Sequence, residues 1–114
     1  MGDCIFCKII RKEIPSSVVY EDDRVVAFND IQPVAPVHVL IVPRQHIESV
    51  RELTGENAGC LIDIHMAANK VAEKLGVKDR GFRLINNCGP DAGQTVPHLH
   101  YHLIGGLKLG AKII

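Results

Sequence analysis

The feature that most constrains this chain is the alternation of histidine and apolar residues between His98 and Leu103. In a β-strand, side chains two residues apart point to the same face. The alternation therefore predicts a strand over residues 98–104 with three imidazoles together on one face. The other face carries Leu99, Tyr101 and Leu103 and satisfies the need for a buried surface, whereas folding alone does not explain the histidine face.

Three imidazoles on one face permit two kinds of chemistry. A neutral imidazole is a nucleophile and a proton carrier near neutral pH, and it is also a metal ligand. The spacing of His98, His100 and His102 therefore predicts a functional site. It does not choose between covalent catalysis and a metal site, and a metal carrier that uses all three histidines remains an alternative.

A glycine-rich segment, residues 87–93, leads into the histidine run. Gly89 and Gly93 allow positive φ angles, and the exposed amide groups of such a loop can form a nest for an anion. Gln94 and Thr95 add side-chain donors beside the histidines. A loop of this kind next to three histidines favours phosphate binding over an ordinary connection.

The pair Cys4 and Cys7 has the Cys-x-x-Cys spacing of a zinc site or a redox pair. A thioredoxin-type redox motif follows a strand in a βαβ unit, which this pair does not. The chain has no second Cys-x-x-Cys pair, so a closed tetrahedral site would need two histidines. His46 and His98 are the candidates, with metal-free thiols as the alternative.

The remaining sequence predicts an α+β fold in a single domain that spans residues 1–114. Apolar residues at three- and four-residue intervals predict a short helix at 4–12 and a long helix at 56–75. β-rich runs predict five strands in a mainly antiparallel sheet, at 18–20, 25–28, 38–42, 82–86 and 98–104. The long helix should pack on one face of this sheet, and the prolines at 29–37 predict a loop.

Composition limits the partners that this chain can have. Thirteen basic and thirteen acidic residues cancel, so no basic field is available to hold long nucleic acid. No stretch approaches the ~20 apolar residues that a membrane span requires. Charged residues such as Lys8 and Arg11 interrupt any secretory segment near the N-terminus. We therefore expect a cytoplasmic protein that binds neither long nucleic acid nor membrane.

Taken together, these segments resemble the histidine-triad (HIT) family and its Hint branch. The run His98–Ile104 is similar to the His-x-His-x-His signature followed by apolar residues. The resemblance also covers 6–15, 21–38, 42–47 and 87–106, in order, and so extends from residue 6 to residue 106. It implies an α+β HIT fold, a homodimer, and hydrolysis of nucleoside 5′-phosphoramidates or acyl nucleotides through a covalent nucleotidyl-histidine.

The resemblance assigns roles to individual residues of this chain. His100 would be the nucleophile, with its other ring nitrogen held by a backbone carbonyl, and His102 and His38 would contact the phosphate region. Asn87, Gly93, Gln94 and Thr95 would bind phosphate oxygens or the leaving group. Asp30 would accept from the ribose hydroxyls of a purine nucleotide. Apolar residues would line the base pocket, namely Ile5, Phe6, Ile9, Phe28 and Ile31.

The same resemblance bears on the metal and on the leaving group. Zinc-containing relatives use a Cys-x-x-Cys pair with two histidines, which implies structural Zn²⁺ at Cys4, Cys7, His46 and His98 and no organic cofactor. Two departures affect the leaving-group side: Thr95 replaces a common serine, and residues 107–114 lack the tryptophan of animal Hint tails.

Two other functions are compatible with the same pocket. One is hydrolysis of dinucleoside polyphosphates, as in the Fhit branch, for which Gln94 is equally suitable. The other is nucleotide binding or protein interaction with incidental catalysis. The Hint-like N-terminal segment, residues 6–15, favours the phosphoramidate hydrolase over the Fhit-like enzyme.

Overall fold

The computed structural model describes residues 4–114, in which five antiparallel strands form one sheet. The order across the sheet is β1-β2-β3-β5-β4, which places the last strand between β3 and β4. The predicted α+β fold with a five-stranded antiparallel sheet is therefore confirmed. The strands are β1 (Val18–Glu21), β2 (Val25–Asn29), β3 (Val37–Pro43), β4 (Phe82–Ile85) and β5 (Tyr101–Gly105).

A long helix, α2 (Gly59–Lys74), packs against β1, β2 and β3 on one face of the sheet. Its apolar residues recur at three- and four-residue intervals, so they form one stripe that faces the strands. Gly76, at a φ of 77°, allows the backbone turn that follows the helix. The core on this side includes Val25, Ala27, Val39, Ile41, Ile64, Ala68, Val71, Leu99 and Leu103.

A short helix, α1 (Ile5–Ile10), packs against the opposite face. The Cys4 sulfur caps its first turn by accepting a hydrogen bond from the backbone N–H of Cys7 at 3.1 Å. Phe6 and Ile9 of this helix bury their side chains in a second cluster on the sheet, with Val26, Phe28, Leu40 and Val42. Among residues 4–114, no helix has both the length and the apolar character needed to cross a bilayer.

Two predicted element boundaries are wrong because the residues concerned make hydrogen bonds outside the regular element. The long helix begins at Gly59 rather than at residue 56, since the hydroxyl oxygen of Thr54 accepts from the N–H groups of Glu56 and Asn57 and holds these residues in a turn. The last strand begins at Tyr101 rather than at residue 98. Leu99 donates to the Ile47 carbonyl at 2.6 Å instead of joining the ladder with β3.

Candidate active site and metal centre

The histidine segment alternates between the two faces as its sequence predicts. Leu99 and Leu103 are fully buried in the core beneath α2. On the opposite face, the His100 ring lies 5.1 Å from the ring of Phe6 in α1 and 5.3 Å from that of His102. The three histidines therefore share the α1 face of the sheet, although only His102 belongs to β5 itself.

The position of the ring proton on His100 follows from one contact. Nδ1 of His100 lies 2.7 Å from the carbonyl oxygen of His98. A carbonyl only accepts, so Nδ1 carries the proton and donates it in this bond. The neutral ring then has its lone pair on Nε2, which is the form that a nucleophile needs.

A second chain of hydrogen bonds fixes the ring protons of His38 and His102. The backbone N–H of Val34 donates to Nδ1 of His38 at 3.1 Å, so the His38 proton lies on Nε2. This N–H donates to Nδ1 of His102 at 2.8 Å. His102 therefore carries its proton on Nε2 and can donate a hydrogen bond to a bound ligand.

The environment of this pair favours the neutral form of His102. Burial lowers the pKa of His102 below its ordinary value, and the neighbouring His100 and His38 lower it further. Asp30 acts in the opposite direction and raises the pKa of His102. The Asp30 carboxylate lies 3.4 Å from Nε2 of His38, and it also accepts from the N–H of Gln32 at 2.8 Å.

The four predicted metal ligands converge on one point. The two Nδ1 atoms of His46 and His98 are 3.2 Å apart, and the sulfurs of Cys4 and Cys7 lie 3.2–3.6 Å from them. In a tetrahedral zinc site, bond lengths of about 2.3 Å to sulfur and 2.0 Å to nitrogen give separations of roughly 3.3–3.6 Å. The donor set therefore fits a tetrahedral divalent cation.

The orientation of His98 supports this fit. Its Nε2–H donates to the Pro43 carbonyl at 2.8 Å, which leaves the lone pair of Nδ1 directed at the two sulfurs. Burial lowers the pKa of His98 to about 4, so the ring is neutral as a ligand must be. Because His98 belongs to this cluster and His102 to the His38 pair, the histidines do not form one common metal site.

The glycine-rich loop is held in shape by Gln94. Its amide oxygen accepts from the N–H of Gly89 at 2.9 Å, and its amide nitrogen donates to the carbonyls of Glu48 and Val96. These backbone contacts occupy both of the N–H donors that this amide possesses. Gly93, at a φ of 85°, adopts the left-handed conformation expected from the sequence.

The other predicted ligand-binding residues differ in how far they are exposed. Asn87 follows β4 and is half-buried, whereas Thr95 is exposed on the loop. In the predicted base pocket Phe6, Ile9 and Phe28 are buried. Ile5 is 49% exposed and Ile31 is 95% exposed, so these two are free to contact a ligand at the surface.

Three residues that contribute to the site are not predicted from the sequence. The side-chain amide of Asn86 donates to the His100 carbonyl at 3.0 Å and supports the backbone of that residue. Val34 and Pro43 act through an N–H and a carbonyl, which leave no signature in side-chain identity. Asn86 is adjacent to Asn87, the residue predicted to bind phosphate, and no sequence pattern indicates that Asn86 contacts the His100 backbone.

Comparison with known proteins agrees with this geometry. Residues 11–109 match the family model described as the HIT domain. This chain belongs to the HIT family. The family membership that the histidine signature predicts is thereby confirmed.

Individual members of the HIT family are similar over nearly the whole chain. Purine nucleoside phosphoramidase of Escherichia coli K12 is 47% identical over 97% of this chain and 93% of its own. A HIT family hydrolase from Clostridium thermocellum has 60% identity and a TM-score of 0.98, covering 100% of this chain and 99% of its own. A histidine triad protein from Clostridium difficile has 52% identity and a TM-score of 0.94, covering 98% and 97%.

Proposed function

We propose that this protein hydrolyses purine nucleoside 5′-phosphoramidates through a covalent nucleotidyl intermediate on His100. The observation that carries the proposal is the 2.7 Å hydrogen bond from Nδ1 of His100 to the His98 carbonyl, which leaves Nε2 with the lone pair. The name of the Escherichia coli relative, purine nucleoside phosphoramidase, indicates the substrate class.

The first step forms a bond between Nε2 of His100 and the α-phosphorus while the P–N bond to the leaving amine breaks. The electron pair of the broken bond takes a proton from a water molecule, and the amine departs. The resulting hydroxide attacks phosphorus, and the N–P bond returns its electrons to Nε2 of His100. The products are a nucleoside monophosphate and an amine, and the His100 Nδ1–H is retained throughout.

The surrounding residues stabilise the negative charge that develops on the phosphate oxygens. The Nε2–H of His102 donates to a phosphate oxygen, and His38 fixes the ring proton of His102 that makes this possible. Asn87, Gly93 and Thr95 supply further donors from the glycine-rich loop. Gln94 acts indirectly in this proposal, since its amide is engaged by the backbone of the loop.

The nucleoside is proposed to lie on the apolar surface beside α1. The side chain of Asp30 is 18% exposed, and its carboxylate accepts hydrogen bonds from the ribose hydroxyls. The purine contacts a surface that consists of Ile5, Phe6, Ile9, Phe28 and Ile31. Such a surface binds the face of a base with few base-specific hydrogen bonds, so both adenine and guanine nucleotides should be accepted.

We further propose that Cys4, Cys7, His46 and His98 bind structural Zn²⁺. All four positions of a tetrahedral ion are filled by protein atoms, so none is left for substrate. The bound ion would tie α1 to the sheet and hold the segment that leads to His100. In this proposal the metal stabilises the fold, and no organic cofactor is used.

The protein is proposed to act as a cytoplasmic homodimer. Strand β4 is an edge of the sheet and pairs with no strand other than β5 among residues 4–114, and α2 exposes Ile62 and Met66. Edge strands and apolar patches of this kind favour association with a second copy. Sedimentation of the purified chain tests the proposal, because a monomer at micromolar concentration contradicts it.

The catalytic proposal is tested with adenosine 5′-phosphoramidate. Wild-type protein should release AMP, and mass spectrometry of enzyme quenched at alkaline pH, where the phosphorus–nitrogen bond to histidine is stable, should detect a nucleotidyl adduct on His100. Release of AMP from a diadenosine polyphosphate at a higher kcat/KM would favour the Fhit-like function instead. Tight nucleotide binding without any turnover would favour a binding protein.

A further inference from the structure

The backbone of His100 lies just outside the regular pairing of the sheet. Strand β5 begins at Tyr101, and its last pair with β4 joins Ile85 to His102. Continuing that register would set Asn87 opposite His100, but β4 ends at Ile85. The candidate nucleophile therefore stands one residue before its strand, where the ladder with β4 no longer holds it.

The side chain of Asn86 supplies the hydrogen bond that the ladder does not. It lies 3.0 Å from the carbonyl oxygen of His100, and because a carbonyl only accepts, the amide nitrogen of Asn86 donates in this contact. Among residues 4–114, no backbone N–H donates to the same oxygen. His100 is buried, so its carbonyl depends on Asn86 for a partner that water would otherwise provide.

Two hydrogen bonds thus hold His100, one at its ring and one at its backbone. Nδ1 of the ring donates to the His98 carbonyl, and the peptide group that follows His100 is tied to Asn86. The first bond fixes the ring proton, but the direction of the ring still depends on the backbone path between residues 98 and 101. The second bond fixes that path, so the two together determine where Nε2 points.

We propose that Asn86 is a positioning residue for the nucleophile, which fixes the His100 backbone so that Nε2 meets the α-phosphorus in line with the bond that breaks. The inference rests on the proposed hydrolase function and adds to it a residue that acts only through His100. A displacement of about 1 Å in a reacting group can lower a rate by about 10²-fold. A loosened His100 should therefore slow formation of the nucleotidyl bond and leave the contacts to phosphate and nucleoside in place.

Three substitutions of Asn86 test the role of its amide. Asn86→Leu removes the donor and keeps a side chain of similar size, and Asn86→Asp keeps the shape should leucine prevent folding. With adenosine 5′-phosphoramidate, the single-turnover rate of adduct formation should fall about tenfold in both, while the substrate concentration that half-saturates this rate stays within about twofold. Asn86→Gln keeps the amide and should recover part of the rate.

A matched control separates positioning from general loss of stability. The side-chain amide of Asn57 also donates to a backbone carbonyl, that of Glu52 at 3.2 Å, in the turn before α2. Asn57→Leu therefore removes the same kind of bond away from the histidine segment. Its single-turnover rate should equal that of wild type when both are assayed well below the melting transition of the variant.

NMR of protein that carries isotope-labelled histidine gives a readout that destabilisation alone does not move. The Nδ1 proton of His100 lies in a 2.7 Å contact with a carbonyl, so it should exchange slowly with water in wild type. In Asn86→Leu this proton should exchange faster, because the ring is held less firmly against the His98 carbonyl. In Asn57→Leu its exchange should stay at the wild-type rate.

The outcomes distinguish failure of the function from failure of the inference. No release of AMP by wild-type protein contradicts the hydrolase function itself. An active wild type with an unchanged single-turnover rate in Asn86→Leu or Asn86→Asp contradicts the positioning role alone. An equal loss of rate in Asn57→Leu contradicts it as well, and so does a variant of Asn86 in which only the half-saturating concentration changes.

Discussion

The carbonyl oxygen of His98 accepts a hydrogen bond from Nδ1 of His100, and the same residue directs its own Nδ1 at the sulfurs of Cys4 and Cys7. One residue therefore joins the candidate metal centre to the candidate nucleophile. Its imidazole serves the cysteine cluster, and its backbone serves His100. The two sites are separate in chemistry but share this connection.

Substitution of His100 tests the nucleophile. His100→Ala should lower kcat/KM for adenosine 5′-phosphoramidate by about 10⁴-fold or more, since the bond-forming atom is lost. The measurement is AMP release, with circular dichroism to check the fold. His65→Ala is the control, because His65 contacts the ring of Tyr101 under α2 and should keep activity. Equal activity of both variants contradicts the assignment.

Removal of a cysteine ligand tests the metal centre. Cys7→Ser should lose the bound metal and lower Tm by roughly 10 °C, because the link between α1 and the sheet is weakened. Metal content by plasma mass spectrometry and thermal melts provide the data. Cys88→Ser should retain one zinc per chain. Full metal content in Cys7→Ser would show that the quartet is assigned wrongly.

The pKa of His102 gives a prediction with a definite sign. Its titration midpoint in NMR spectra should lie below 6.5, since burial lowers the pKa. Asp30→Asn should lower the midpoint further, because the carboxylate raises this pKa. A rise in Asp30→Asn would exclude the proposed electrostatic contact.

The same shift links pH to stability. The native state holds His102 neutral at pH values where the unfolded chain already protonates it. The free energy of unfolding should therefore fall as pH decreases from above 6.5 through the lowered pKa. Urea denaturation at a series of pH values measures this slope. His102→Gln should show a smaller slope over that window, and an unchanged slope would contradict the linkage.

Leu99 tests how the histidine segment is supported. Its side chain is fully buried in the core beneath α2, so Leu99→Ala should cost about 3 kcal/mol of unfolding free energy through loss of burial and cavity formation. Denaturation in urea gives the value. Leu107→Ala, at a side chain that is 47% exposed, should change it by less than about 1 kcal/mol. Similar costs for both would contradict the packing.

The sequence was most informative where periodicity and spacing were strong. The alternation at 98–103 predicts which side chains share a face. The Cys-x-x-Cys pair predicts a site that two histidines complete, and His46 and His98 lie beside the two cysteines. The start of the last strand was predicted wrongly, because Leu99 bonds to Ile47, a partner that no local pattern reveals. Contacts made by backbone groups, such as that of Val34, were inaccessible for the same reason.

The Gln94 amide has a consequence for ligand affinity. It bridges Gly89, Val96 and Glu48, so the loop has its shape before any phosphate arrives. Ordering a flexible loop costs about 1–2 kcal/mol per residue in backbone entropy. A ligand that meets this loop avoids most of that cost, and the free energy of its phosphate contacts goes directly into affinity.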